Sequence, residues 1–222
     1  MKIQFLHPVP PTFAGRCVNH VLMALALVAV STLLFATGGL AQTQPKRIGV
    51  MLFDGVLTSD VVAPLEVFGV AIENEIIDGY EIVTIAPEAG PITTHEGVTL
   101  KADFGIEDAP DLDVIIVGSR YDMDPVLEDQ NFMGFVTEQA SQADWIASNC
   151  SGACVLAATG LLNGVNVTVV VDNNGVTSNG SLVSYAAAIE LLKNIAGPEK
   201  SKETADTIYF TRLLERHGLS NS

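Results

Sequence analysis

Residues 145–164 read WIASNCSGACVLAATGLLNG. The stretch starts as a buried strand, DWIASN over 144–149. It runs without a loop into a helix of small and apolar residues, 151–164, stopped by Asn163-Gly164. Cys150 falls at the junction, and its neighbours Asn149, Ser151, Gly152 and Ala153 are all compact. A sharp strand-to-helix turn that presents a nucleophile needs small flanks, because the backbone is crowded there. A helix N-terminus adds N–H groups and the positive end of a dipole. Both favour a thiolate, and the same N–H groups can hold a developing oxyanion. A buried structural cysteine at a helix start fits the position equally well. Position alone leaves both readings open.

Outward from this turn, similar apolar runs recur. IGVMLFDG (48–55), YEIVTIAP (80–87) and DVIIVGS (113–119) read as strands apolar on both faces, the pattern of a buried parallel sheet. Helical spacing lies between them, at 60–72 and 131–142, with Val61, Leu65, Phe68 and Ile72 on one face of the first. Thr58, Ser59 and Asp60 are candidate N-caps for that helix. Pro64 fits only near its first turn or at a kink. ITTHEGVTLKAD (92–103) predicts a hairpin-like excursion around Glu96-Gly97. Two strands flank Asn173-Asn174-Gly175 within 165–178, and helices follow at about 181–196 and 200–216. Strands alternating with helices predict an α/β fold: a doubly wound, mostly parallel sheet with helices on both faces. Reactive groups in such folds gather at the carboxyl ends of the strands. That rule selects Asp54 to Asp60, Gly118-Ser119 and Asn149 to Ser151.

Composition narrows the function classes. The chain has 222 residues, 26 acidic groups against 11 basic ones, and a net charge of −15. Phosphate-backbone binding needs clustered Lys and Arg, so no nucleic-acid partner is expected. The positive mean hydropathy sits largely in VLMALALVAVSTLLFATGGLA (21–41). Lys2 and Arg16 precede that run, Gly38-Gly39 breaks it, and small residues end it. This is the pattern of a signal peptide, residues 1–41, cleaved after Ala41. The mature chain, 42–222, is then expected to be a single domain in the periplasm or outside the cell, with no membrane attachment. It keeps Cys150 and Cys154, too few for a disulfide framework. Four histidines and no Cys/His cluster give no metal signature, and no cofactor is expected.

Asp60 follows the first strand, where a carboxylate can face the strand-end cleft. Beside a thiolate it can share a proton and act as general acid or base. Spacing alone favours an ordinary helix cap. Cys154 reads either as a resolving thiol or as a small core residue on an Ala-rich helix, and the core reading is preferred. His95 is expected at the surface and Trp145 packed in its strand.

These residues together resemble the ThiJ/PfpI superfamily. The resemblance rests on IGVMLFDG-VLTSDVVAPLEVF (48–68), DVIIVGS (113–119), WIASNCSGACVLAATGLLNG (145–164) and VVVDNNGVTSNG (169–180). Asp60-x-x-x-Pro64 is similar to the branches of isocyanide hydratases and regulators, whereas the deglycase branch has Glu at that place. The resemblance implies a flavodoxin-like sandwich, a homodimer, Cys150 as elbow nucleophile and Asp60 as the acid hydrogen-bonded to it. It assigns oxyanion binding to the backbone at Gly118, Ser119 and Ser151. Family members carry a strand-plus-helix unit between the Gly-Leu-Leu-x-Gly end of the nucleophile helix and the Val-Val-Asp strand. Here only Val165 to Thr168 separate Gly164 from Val169, so that unit is expected to be absent. The implied function is an exported cysteine-dependent hydrolase or hydratase acting on a small electrophilic molecule. A non-catalytic small-molecule binder and a redox sensor using Cys150 are the alternatives.

Overall fold

The computed structural model describes residues 44–160, 170–172, 175–178, 180 and 183–211, with the backbone alone at 170–172. The signal segment and the junction between Gly164 and Val169 lie outside the described residues.

The apolar runs become strands as their pattern dictates. β1 (Lys46–Met51) leads to α1 (Thr58–Glu73) and β2 (Tyr80–Ala86). A hairpin follows, β3 (Gly90–Thr93) and β4 (Thr99–Ala102), and then β5 (Phe104–Gly105) and β6 (Val114–Val117). Next come α2 (Asp124–Glu128), α3 (Gln130–Ala140) and β7 (Trp145–Asn149). A 3-10 turn, Cys150–Gly152, opens α4 (Ala153–Ala158). β8 (Val170–Asp172), β9 (Gly175–Ser178), α5 (Ser184–Ala196) and α6 (Pro198–Thr207) complete the order.

The main sheet has the strand order β5-β2-β1-β6-β7-β9-β8. Every pair is parallel except β8 with β9. The chain steps from β1 to β2 in one direction and from β6 to β7 in the other. Right-handed crossovers in opposite directions place α1 and α3 on opposite faces. Helix α5 packs on α1, and α6 on both. The result is the flavodoxin-like, doubly wound α/β arrangement. Ile48, Met51, Ile85, Ile115 and Leu156 are fully buried, and so are Phe68 from α1 and Phe132 from α3. Trp145 packs against this core and His95 is exposed, both as the sequence predicts.

Three expectations change. The nucleophile helix ends at Ala158 rather than at Asn163-Gly164, because Gly160 turns left-handed at φ 82° and its N–H returns to Ala157. Cys154 is exposed and not a core residue, since Val155 and Leu156 are the ones that face inward on so short a helix. The helix expected at 200–216 breaks after Thr207, at Tyr209 with φ 62°, and helix resumes at 210–211; residues 212–216 lie outside the described residues. The short α2, with Pro125 in its first turn, has no counterpart in the sequence reading.

The start of α1 is capped from a distance. Its N-cap is Leu57, which offers no side-chain acceptor, so none of Thr58, Ser59 and Asp60 caps it. Glu96, at the tip of the β3–β4 hairpin, supplies the acceptor instead. Its Oε2 takes the Thr58 N–H at 2.9 Å and the Thr58 hydroxyl at 2.6 Å. The Thr58 hydroxyl, and then its N–H, hold the Glu96 carboxyl below the usual value. A lowered folded-state pKa stabilises the fold above the ordinary glutamate range and ceases to do so as pH falls through it. Glu96→Ala is expected to cost about 0.5–1 kcal/mol at neutral pH, the lower part of the cap range because the site is exposed. Urea melts at neutral pH and at pH 3 check this: the difference between variant and wild type should shrink in acid.

Ser148 is the one described residue whose buried side-chain oxygen lacks a hydrogen-bond partner. It borders a cavity of about 10 Å³ lined also by Pro64, Ser184 and Leu191. A buried hydroxyl without a partner keeps its desolvation cost. Ser148→Ala is therefore expected to leave stability unchanged or raise it by up to about 1 kcal/mol. A measured loss of that size would contradict this.

Candidate active site

The strands bring the sequence candidates to one place. Asp60 lies in the first turn of α1, just past β1. Gly118 and Ser119 follow β6, and Cys150 follows β7. β1 and β6 are neighbours where the direction of winding reverses, and ligands bind at such switch points.

Cys150 sits at φ 48°, a left-handed backbone that a residue with a Cβ adopts at a cost. Asn149 before it is extended, and Gly152 after it is already helical. The chain reverses within three residues, and the cysteine stands at the apex, exposed. The turn depends on Gly152: a Cβ there would lie 2.5 Å from the carbonyl oxygens of both Val117 and Gly118. The backbone of the β6 loop is pressed against the elbow. Ser151 adds a bond in the same direction, its hydroxyl donating to the Arg120 carbonyl at 2.8 Å.

Asp60 has no exposed surface. Its Oδ2 accepts the Ser119 hydroxyl at 2.5 Å and the Ser119 N–H at 3.2 Å, and its Oδ1 accepts the Ser184 hydroxyl at 2.8 Å. The carboxylate is turned inward, toward the β6 loop and the start of α5, and not along its own helix. Ser119 departs from the Gly-Gly loop of family members by a side chain that reaches the acid. Its N–H, one of the donors assigned to an oxyanion above, also points to the acid.

Gly180 connects acid and thiol. At φ 75° it is left-handed, and a Cβ on it would lie 2.4 Å from Cys150 Cβ and 3.3 Å from Asp60 Oδ1. The thiol-bearing carbon and the carboxylate thus approach the same backbone. Gly180 closes the stretch VVVDNNGVTSNG (169–180), which assigns it no site role, and Ser184 lies outside every motif that carries the resemblance. No group of three or more potential metal-ligating side chains occurs among the described residues.

Fold and site define a class: doubly wound α/β proteins with a cysteine on a strand-end elbow. A model of the DJ-1/PfpI family matches residues 46–181, and the chain belongs to that family. It is 28% identical over 176 residues to an isonitrile hydratase of Pseudomonas putida, covering 70% of this chain and 75% of the relative. A ThiJ/PfpI family protein from Pseudomonas syringae superposes with a TM-score of 0.68 at 20% identity, over 78% of this chain and 80% of the other. An oxidized DJ-1 from Toxoplasma gondii gives a TM-score of 0.63 at 20% identity, over 74% of this chain and 98% of the other. At such identities the structural matches speak for the fold.

Proposed function

We propose that this chain is an exported, cysteine-dependent hydratase of small electrophiles, with isonitriles as the first substrate class. The observation that carries the reading is Cys150 at the apex of a strained elbow, with Cys150 and the Asp60 carboxylate both bordering the space that a side chain at Gly180 would fill. The similarity to an isonitrile hydratase supplies the substrate class.

The chemistry balances without an oxidant or reductant. Cys150 Sγ adds to the terminal carbon of R–N≡C, forming one S–C bond, and that carbon gains a proton relayed by Asp60. The product is a thioimidate, R–N=CH–S-Cys150. Water adds to the same carbon and a proton goes to nitrogen. The C–S bond then breaks, the thiolate leaves and R–NH–CHO is released. Backbone N–H groups at Gly118 and Ser151 are assigned to charge that develops on the substrate, the Ser119 N–H being held by Asp60 Oδ2. No metal or cofactor enters these steps.

Incubation with a simple alkyl isonitrile, followed by NMR, tests the reading. A formamide signal from the wild type that Cys150→Ser abolishes is the expected result. Turnover that persists in Cys150→Ser excludes the mechanism, and ligand binding without turnover favours the binding module. Export and a homodimer belong to the same proposal. Recovery of a periplasmic chain starting at Gln42, with a dimer mass by light scattering, would support them.

A further inference from the structure

We infer that Asn149 is a positioning residue that fixes the nucleophile elbow to the acid-bearing helix through a carbonyl that Pro64 leaves open. The inference rests on the assignment of Cys150 and Asp60 above, and concerns how their relative position is held.

In an α-helix the carbonyl of residue 60 receives the N–H of residue 64. Pro64 has no N–H, and it lies inside α1, not at its start. The Asp60 carbonyl is thereby denied its helical donor in a buried setting, where an unmade hydrogen bond is costly. The side chain of Asn149 donates there: its Nδ2 lies 3.2 Å from Asp60 O, in a buried contact between residues 89 apart in sequence. Asn149 is 4% exposed and immediately precedes Cys150.

The other end of the same amide is held as well. Asn149 Oδ1 accepts the Ser178 hydroxyl at 2.5 Å, and Ser178 Oγ accepts the Gly180 N–H at 3.1 Å. Gly180 is the residue whose lack of a Cβ leaves room for both Cys150 and Asp60. One planar side chain therefore spans the helix of the acid, the strand of the nucleophile and the end of β9. Its orientation is determined at the Asp60 end: a reversed amide would set its oxygen against the Asp60 carbonyl, whereas the Ser178 hydroxyl can serve either end. A packing role alone asks only for an apolar or small side chain at 149. This arrangement uses a donor and an acceptor at defined ends.

The test uses Asn149→Ala, Pro64→Ala and the double variant in the full chain. Two readouts apply, urea stability and the pH–rate profile of iodoacetamide alkylation at Cys150, with Cys154 as internal control. Asn149→Ala should slow or displace Cys150 alkylation by about tenfold or more at neutral pH and leave Cys154 unchanged. In Pro64→Ala a backbone N–H returns to the Asp60 carbonyl. Loss of the Asn149 amide should therefore cost less stability in that background than in the wild type, a non-additive cycle. If Asn149→Ala alone does not fold, the double variant supplies the alkylation measurement, with the same displacement expected. An unchanged Cys150 profile, or a strictly additive cycle, overturns the inference. Neither readout needs isonitrile turnover, so failure of the substrate assignment is separable from failure of this one.

Discussion

Gly152→Ala is expected to destabilise the protein by about 3 kcal/mol or more, the upper part of the overpacking range. The new Cβ would lie 2.5 Å from two backbone carbonyl oxygens, those of Val117 and Gly118. A flexible side chain could rotate away from such a contact, but a strand end can yield only by moving the backbone. Val117 ends the central strand β6, which is paired on both sides, and Gly118 follows it. Relief would pull the β6 loop from the elbow and break the Ser151–Arg120 bond. Gly134→Ala is the control: nothing lies within 4 Å of its Cβ, and it sits inside α3. There alanine should stabilise by about 0.5–1 kcal/mol through helix propensity. Urea denaturation of both variants measures effects of opposite sign from one chemical change. Equal effects would show that the contact at Gly152 relaxes freely.

Cys150→Gly is expected to reduce isonitrile turnover by at least about 1,000-fold, as loss of a covalent nucleophile does. The same variant should be more stable than Cys150→Ala by about 1 kcal/mol, because glycine adopts φ 48° without the penalty a Cβ incurs. Both variants lack the thiol, so the comparison isolates backbone strain. A gain in stability with a loss of activity is the sign that the elbow is held in place for function. If the alanine variant is as stable as the glycine variant, the turn carries no strain worth the name, and the backbone argument for Cys150 falls.

The sheet was legible because buried parallel strands write themselves as apolar runs, and the runs at 48, 80, 113 and 144 all became strands. The elbow was legible for a similar local reason: a strand, a cysteine and four compact neighbours are contiguous. Asp60 was harder. Its local sequence favours a cap, yet its carboxylate is turned to Ser119 and Ser184, which lie 59 and 124 residues away. The true acceptor at the start of α1, Glu96, is 38 residues distant. Pairings of this kind are set by topology and leave no periodic trace. Pro64 did leave one. A proline inside a helix announces an open carbonyl four residues earlier, but the sequence does not name the donor that fills it. The end of the nucleophile helix was misplaced because two glycine signals compete there, and Gly160 comes first.

Site-resolved alkylation tests the central claim most directly, that Cys150 is a nucleophile presented by the elbow and tuned by Asp60. Cys150 and Cys154 are both exposed, four residues apart, and both remain thiols. Mass spectrometry after timed iodoacetamide treatment reads their rates in one sample. Cys150 is predicted to react about tenfold faster than Cys154 at neutral pH or more, as thiols at activating sites do. Asp60→Asn should change the rate at Cys150 alone. Equal rates at the two cysteines, unaffected by Asp60→Asn, would contradict it.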